Sequence, residues 1–242
     1  MMMEHDDGFS FGIGAFETML VHDGRCIMFV RHMDRLRRAL ESLGVGNRVD
    51  PRMLEDEVSD GHLDGRVLKV EVSERNVVIS DRPVPYSDGD YARGFRLRIP
   101  EVRRNESSPF TYMKSLQYGD SIMEKRKAKA DGFDEPLFLN CRGEICEGAT
   151  TNIFFSKGGR LYTPEKRCGL LPGTVRSYVM EKFGAEEGVF FPEDLHGFDG
   201  CFVTNSVLGI MPVASIGGVG FHDRSLCDGI RKTYLRDVED GL

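Results

Sequence analysis

The 242-residue chain has no apolar run long enough to cross a bilayer, which sets aside a membrane-spanning helix. Its six cysteines contain no C-x-x-C pair. Cys141 and Cys146 flank a Gly-containing turn but have no matching His or Cys pair elsewhere, so a structural zinc site is not expected. Basic charge is not in excess either: 39 acidic against 32 basic residues give a net charge of −7, which argues against a nucleic-acid-binding face. The Met-rich start runs into Glu4, His5, Asp6 and Asp7 and resembles neither a signal nor a transit peptide. There is no internal repeat and no low-complexity segment. What remains is ordinary for a globular protein, at 40% hydrophobic and 29% charged residues, with enough chain for one large domain or two small ones. The cysteines read as reduced, partly buried thiols of a cytoplasmic protein. The one basic cluster, Lys125-Arg126-Lys127-Ala128-Lys129, reads as the solvated face of an amphipathic helix.

Periodicity divides the chain into two α+β halves. Residues 15–29 predict a hairpin, with strands at 16–21 and 26–29 around Asp23-Gly24. Met33, Leu36, Leu40 and Leu43 recur at helical spacing, and Gly44 is the expected stop. Strands are predicted at 67–72, 77–80 and 95–99, so the first half reads as an antiparallel sheet carrying one or two helices. Residues 100–109 are polar, with Pro at both ends, and read as the linker between domains at 1–103 and 108–242. Beyond it, helices are predicted at 118–130, 174–183 and 224–238. Strands are predicted at 136–139, 144–146, 152–155, 160–162, 201–204 and 210–213.

Chemistry enters with the motifs. Tyr112-Met113-Lys114-Ser115-Leu116-Gln117-Tyr118 sets a lysine four residues before a tyrosine, and Glu147-Gly148-Ala149-Thr150-Thr151-Asn152-Ile153-Phe154-Phe155 follows it. An amine for a Schiff base, a phenol near it and a carboxylate for a pyridinium nitrogen are what a pyridoxal phosphate enzyme needs. Taken singly, Lys114 also reads as a surface lysine and Glu147 as a strand-end acid in a turn. Leu171-Pro172-Gly173-Thr174-Val175-Arg176 opens a helix, where backbone N–H groups and the positive dipole end can face an anion. Thr204-Asn205-Ser206 offers a hydroxyl and turn amides for a second phosphate contact. Arg35, within His32-Met33-Asp34-Arg35-Leu36, is a candidate for the same anion or a helix-surface arginine.

Together these motifs resemble the fold type IV (class IV) pyridoxal phosphate enzymes, which include branched-chain and D-amino acid aminotransferases and aminodeoxychorismate lyases. The resemblance runs in order through Phe11-Gly12-Ile13-Gly14-Ala15-Phe16-Glu17-Thr18, His32 to Leu36, Met113 to Tyr118, Glu147 to Phe154, Leu171 to Arg176 and Thr204 to Val213. It implies a two-domain α+β fold with the cofactor, pyridoxal 5′-phosphate, between the domains of a homodimer. It implies that Lys114 carries the cofactor as a Schiff base and shuttles protons, that Glu147 pairs with the pyridine nitrogen, and that Tyr118 sits by the phenolic oxygen. Arg35, the amides of Thr174 and Val175, and Ser206 would hold the phosphate. The sequence departs from the family pattern at Ile13, where many members have Asp, and at Val175, where many have Thr. The chain ahead of Phe9 is shorter than usual, so the N-terminal sheet is expected to lack its first strand or two.

Within the family, Thr204-Asn205-Ser206-Val207-Leu208-Gly209-Ile210-Met211-Pro212-Val213 and Val67-Leu68-Lys69-Val70 are more similar to the lyases than to the aminotransferases. The implied reaction is elimination of pyruvate from 4-amino-4-deoxychorismate to give 4-aminobenzoate. The alternatives are transamination of branched-chain or D-amino acids, and a non-catalytic cofactor-binding paralogue. Arg75, Arg82 and Asn205 are the candidates for substrate contact; both arginines also read as exposed loop residues.

Overall fold

In the computed structural model, which describes residues 3–59 and 61–242, the alternation after Gly12 becomes the strand β1 (Gly14–His22). Ala15, Glu17, Met19 and Val21 are fully buried on one face, the side-chain period of two that a half-buried strand dictates. A short helix, α1 (Asp7–Phe11), precedes β1. β2 (Arg25–Cys26), α2 (Phe29–Ser42), α3 (Pro51–Ser59), β3 (Arg66–Ser73) and β4 (Val77–Pro83) follow it. The four strands form one antiparallel sheet in the order β2-β1-β3-β4. Leu36, Ala39 and Leu40 of α2 pack on Ala15, Met19 and Val21 of β1 and on Leu68, Val70 and Val72 of β3. Burial of these side chains is the main force holding α2 on the sheet.

The expected second hairpin strand at 26–29 keeps only Cys26 as strand, with Ile27 and Met28 in a turn. Met28 takes a left-handed conformation (φ 56°) and α2 starts at Phe29, leaving β2 with two residues, Arg25 and Cys26. The stop at Gly44 holds, with φ 69° and its N–H bonded to the Glu41 carbonyl. Periodicity does not predict α1 or α3, because neither carries an apolar stripe longer than two turns.

The chain does not divide at residues 104–107. One unit takes the chain up to Pro85, together with Met113–Tyr118 and Val238–Leu242. The other takes Tyr86–Tyr112 and Gly119–Asp237. Lys114 therefore belongs to the unit built on β1. The expected linker belongs to the second unit, where the Arg104 N–H donates to the Leu139 carbonyl (2.9 Å).

The second unit contains α4 (Asp88–Arg93), β5 (Phe95–Arg98), α5 (Gly119–Ala130), β6 (Glu135–Leu139), β7 (Ile145–Gly148), β8 (Asn152–Lys157) and β9 (Arg160–Pro164). It continues with α6 (Thr174–Phe183), β10 (Glu186–Gly188), β11 (Gly200–Asn205), β12 (Gly209–Ile216), β13 (Val219–Gly220) and most of α7 (Ser225–Glu239). Its mixed sheet runs β10-β9-β8-β11-β12-β5-β6-β7, with β13 on β12. Its core includes Leu97, Leu137, Ile153, Phe155, Val203 and Met211. Phe154 and Phe202, cross-strand partners, stack with centroids 5.0 Å apart. The basic cluster lies on α5 as expected except at Lys125, which turns inward to Glu135 (3.0 Å) and the Thr150 hydroxyl (2.7 Å). Among the described residues no helix is long and apolar enough to cross a membrane. All six cysteines are free, and only Cys141 is exposed.

Asp6 ties α1 to the sheet. Its carboxylate accepts from the Phe9 N–H at the helix start, and from the Ser73 hydroxyl, the Arg75 N–H and the Asn76 amide of the β3–β4 turn. Burial opposes the charge, but these four bonds hold the carboxyl down to about 2. Asp6→Ala is expected to cost about 1–2 kcal/mol of stability by urea titration at pH 7. Because the folded value lies below the unfolded 3.8, this contribution is present above pH 3.8 and is lost as the pH falls toward 2.

Candidate active site

In the first unit the edge of β1 opposite β3 is shared. β2 pairs with its C-terminal end, and the segment bearing Lys114 pairs with its N-terminal end. The Phe16 N–H donates to the Lys114 carbonyl and the Leu116 N–H to the Gly14 carbonyl, both at 2.9 Å, around a bridge between Ala15 and Ser115. The Lys114 amine then lies 4.5 Å from the centre of the Phe16 ring and 5.7 Å from that of Tyr118, and these two rings meet edge to face at 5.2 Å. Phe16 also carries Lys69, whose amine is 4.8 Å from the ring and 2.6 Å from Glu71.

The strand register explains this grouping. Phe16 faces Glu71, Thr18 faces Lys69 and Leu20 faces Val67, with Val78, Ser80 and Arg82 continuing the three rows on β4. All of these lie on the sheet face opposite α2. Of the two arginines expected to meet substrate, Arg82 therefore shares the face of Phe16 and Lys69. Arg75 sits in the β3–β4 turn, exposed, with its N–H on Asp6.

On the other face of β1, Glu17 is wholly buried and forms a three-residue charge group with α2. Arg35 donates through Nε to Oε1 and through Nη2 to Oε2, each at 2.7 Å, and His32 Nδ1 lies 2.7 Å from Oε2. Burial would raise the Glu17 carboxyl, but the Arg35 and His32 charges and hydrogen bonds hold it well below the usual carboxylate range. Burial pushes His32 below 6.5; Glu17 pulls it up, while the charges of Arg35 and Lys114 push it down. Arg35 is thus oriented by a bidentate partner that the motif reading did not assign to it.

In the second unit β7 carries Glu147 at its end, 8% exposed. Its Oε2 accepts from the Leu171 N–H (3.0 Å) and from Asn152 Nδ2 (3.3 Å), and its Oε1 lies 3.4 Å from Arg104 Nη2. Asn152, which begins β8, also donates to the Leu171 carbonyl (2.8 Å), so one amide connects the acid to the loop that opens α6. A Cβ at Gly173 would overlap the Asn152 Oδ1. Glycine therefore caps α6 with bare backbone ahead of the buried Thr174 and Val175, an end that suits an anion. Arg176 of the same motif pairs instead with Glu187 (2.6 Å) and the Pro164 carbonyl (2.9 Å).

Asn205 spends its amide on its own turn: Oδ1 accepts from the Val207 and Leu208 N–H groups at 2.8 Å, and Nδ2 donates to the Thr150 carbonyl at 3.1 Å. This turn holds the half-buried Ser206. The motifs did not single out Glu17, His32, Lys69, Arg104 and Asn152, which the structure places against Arg35, Phe16 and Glu147. The signal available for Glu17 was an acid inside an otherwise apolar strand.

The model of the family described as Amino-transferase class IV matches residues 14–216. The chain belongs to that family. A class IV relative, the aminodeoxychorismate lyase of Bacillus subtilis (strain 168), is 29% identical over 97% of this chain and 89% of its own. Among solved class IV structures, one from Legionella pneumophila, provisionally assigned as a 4-amino-4-deoxychorismate lyase, superposes with a TM-score of 0.89. It covers 98% of this chain and 96% of its own at 23% identity. The branched-chain aminotransferase of Thermoproteus uzoniensis, solved with norvaline, superposes at 0.83 over 96% of this chain and 87% of its own, at 24% identity. The two superpositions establish a shared class IV fold.

Glu17→Gln removes the buried carboxylate charge that Arg35 meets through two hydrogen bonds, and a loss of about 3 kcal/mol is expected by urea titration at pH 7. His32 sets a pH dependence of its own. Its folded value lies below 6.5, so below that pH the unfolded chain binds a proton that the folded one does not, and stability falls. A His32→Asn variant should give a flatter stability profile between about pH 7 and 5 than the parent.

Proposed function

We propose that this protein is a pyridoxal 5′-phosphate enzyme that eliminates pyruvate from 4-amino-4-deoxychorismate and leaves 4-aminobenzoate. The observation that carries the cofactor assignment is the donor set. An amine in an aromatic corner, an arginine locked by Glu17, a carboxylate ringed by donors and a glycine-capped helix end match the functional parts of that molecule: aldehyde, phosphate, ring nitrogen and phosphate again. Lys114 would hold the aldehyde carbon, with the Tyr118 hydroxyl by the phenolic oxygen. Glu147 would face the ring nitrogen. Arg35, the Thr174 and Val175 amides and Ser206 would take the phosphate. Bound there, the cofactor supplies an electron sink for the substrate carbon.

Lys114 then does the proton work, moving a proton at Nζ while pyruvate departs and the ring becomes aromatic. The Phe16 and Tyr118 rings limit water around that amine. A substrate carrying two carboxylates needs cations near the amine. Lys69 and Arg82 on the same sheet face suit that role better than Arg75, in the turn, or Asn205, whose amide is engaged. Glu71 would be the resting partner of Lys69.

The lyase reading is supported by the Bacillus subtilis relative, aligned over almost the whole chain, and by the Asn205-Ser206 and Met211-Pro212-Val213 stretch. Transamination of an amino acid is the second reading, favoured by the same lysine and by the fold shared with the branched-chain aminotransferase.

Purified protein should be yellow and lose that absorbance on borohydride treatment with the label on Lys114, and Lys114→Ala should lose both colour and turnover. Incubation with aminodeoxychorismate should yield 4-aminobenzoate and pyruvate. Glutamate formed from branched-chain or D-amino acids and 2-oxoglutarate, without 4-aminobenzoate, would replace the lyase with an aminotransferase. A yellow protein inert in both assays would mark a non-catalytic paralogue.

A further inference from the structure

Arg104 lies in the stretch that reads as a linker, yet it is built into the second unit at Glu147. Its N–H donates to the Leu139 carbonyl (2.9 Å), and it forms a parallel bridge with Asn140, which fixes its backbone beside β6. Its side chain is 15% exposed and lies over the Phe138 ring, with the guanidinium carbon 4.1 Å from the ring centre. Nη2 is 3.4 Å from Glu147 Oε1 and 3.3 Å from the Gly148 carbonyl, and the buried Nε has no hydrogen-bond partner among the described residues. The two oxygens of Glu147 thus have different surroundings: neutral donors, Asn152 and Leu171, at Oε2 and a guanidinium at Oε1.

We infer that Arg104 is a positioning residue that acts through Glu147, holding it as an oriented carboxylate ready for a protonated ring nitrogen. The inference rests on the cofactor reading above. Asn152 and Leu171 can hydrogen-bond a carboxylate, but neither carries the charge that disfavours protonation. Arg104 supplies that charge with its guanidinium stacked over the Phe138 ring. A purely structural role would need only the backbone bridge and the ring contact, both of which survive loss of the charge in part.

The test measures pyridoxal phosphate affinity of the full-length apoprotein by titration from pH 5 to 9, for the parent, Arg104→Gln, Arg104→Lys, Glu147→Gln and the double variant. Thermal unfolding of each apoprotein checks the fold. Removing an opposite charge at this distance raises a carboxyl by about one to three units, so the acid limb of the Arg104→Gln binding profile should move up by about one unit or more, with affinity at pH 6 down about tenfold. Arg104→Lys should restore most of the limb. In the Glu147→Gln background Arg104→Gln should change affinity less than about twofold, because the group it acts through is gone. Additive losses in the double variant, or a parent-like profile in a folded Arg104→Gln protein, would overturn the inference while leaving the cofactor reading intact. If Arg104→Gln does not fold, an Arg104→Lys profile with an upward-shifted acid limb and additive behaviour with Glu147→Gln overturns it equally. A parent protein that binds no pyridoxal phosphate overturns both.

Discussion

A carboxylate with no access to water keeps its charge only if counter-charges are built around it, and Glu17 imposes that demand on the first unit. Arg35 supplies the counter-charge and His32 a further hydrogen bond from consecutive turns of α2, so α2 must sit over β1 with those two positions facing down. The register of β1 on β3 then decides both faces together. One face carries Glu17 among Ala15, Met19 and Val21; the other carries Phe16, with Lys69 and Lys114 against its ring. A slip of one residue would turn the acid away from α2 and the Phe16 ring toward it. The hydrophobic pattern that specifies the sheet therefore also specifies the chemistry.

The second unit holds its own buried acid, Glu147, with the neutral donors Asn152 and Leu171 on one oxygen and the Arg104 guanidinium on the other. Asn152 spans Glu147 and the Leu171 carbonyl, and its Oδ1 occupies the space a side chain at Gly173 would need. Acid, amide and helix end are fixed as a group. Buried Glu135 supports the same loop from behind, accepting from the Thr150 N–H (2.6 Å) and pairing with Lys125. The Thr150 carbonyl in turn receives the Asn205 amide, so the turn holding Ser206 is registered to the loop after Glu147.

Much of this is legible from sequence where the signal is local. The strands around Val67–Val70 and Asn152–Phe155, the α2 stripe at Leu36 and Leu40, and the Gly44 stop follow from periodicity and from one left-handed glycine. The order of motifs carries the family, which the match over residues 14–216 establishes. What is not legible depends on contacts between distant residues. Residues 100–109 look like a linker because they are polar, and contacts with the distant Leu139, Asn140, Phe138 and Glu147 make Arg104 part of the second unit. Lys125 hides in a run of exposed basic residues, although its own partner, Glu135, is a buried acid at the start of the next strand. The assignment of Lys114 to the first unit cannot be read from order along the chain, since its partner strand, β1, lies far upstream near the N-terminus.

That last arrangement bears on how the protein is made. Ala15 and Ser115 pair across a long stretch of intervening chain, a contact whose loop-closure entropy must be met before it stabilises the fold. On a ribosome, β1 emerges long before the segment that completes its open edge. Until then half of that edge is an unpaired strand, exposed to wrong partners in the way sheet edges are. Arrival of residues 114–116 covers the edge and brings the Lys114 amine to the Phe16 ring in the same event.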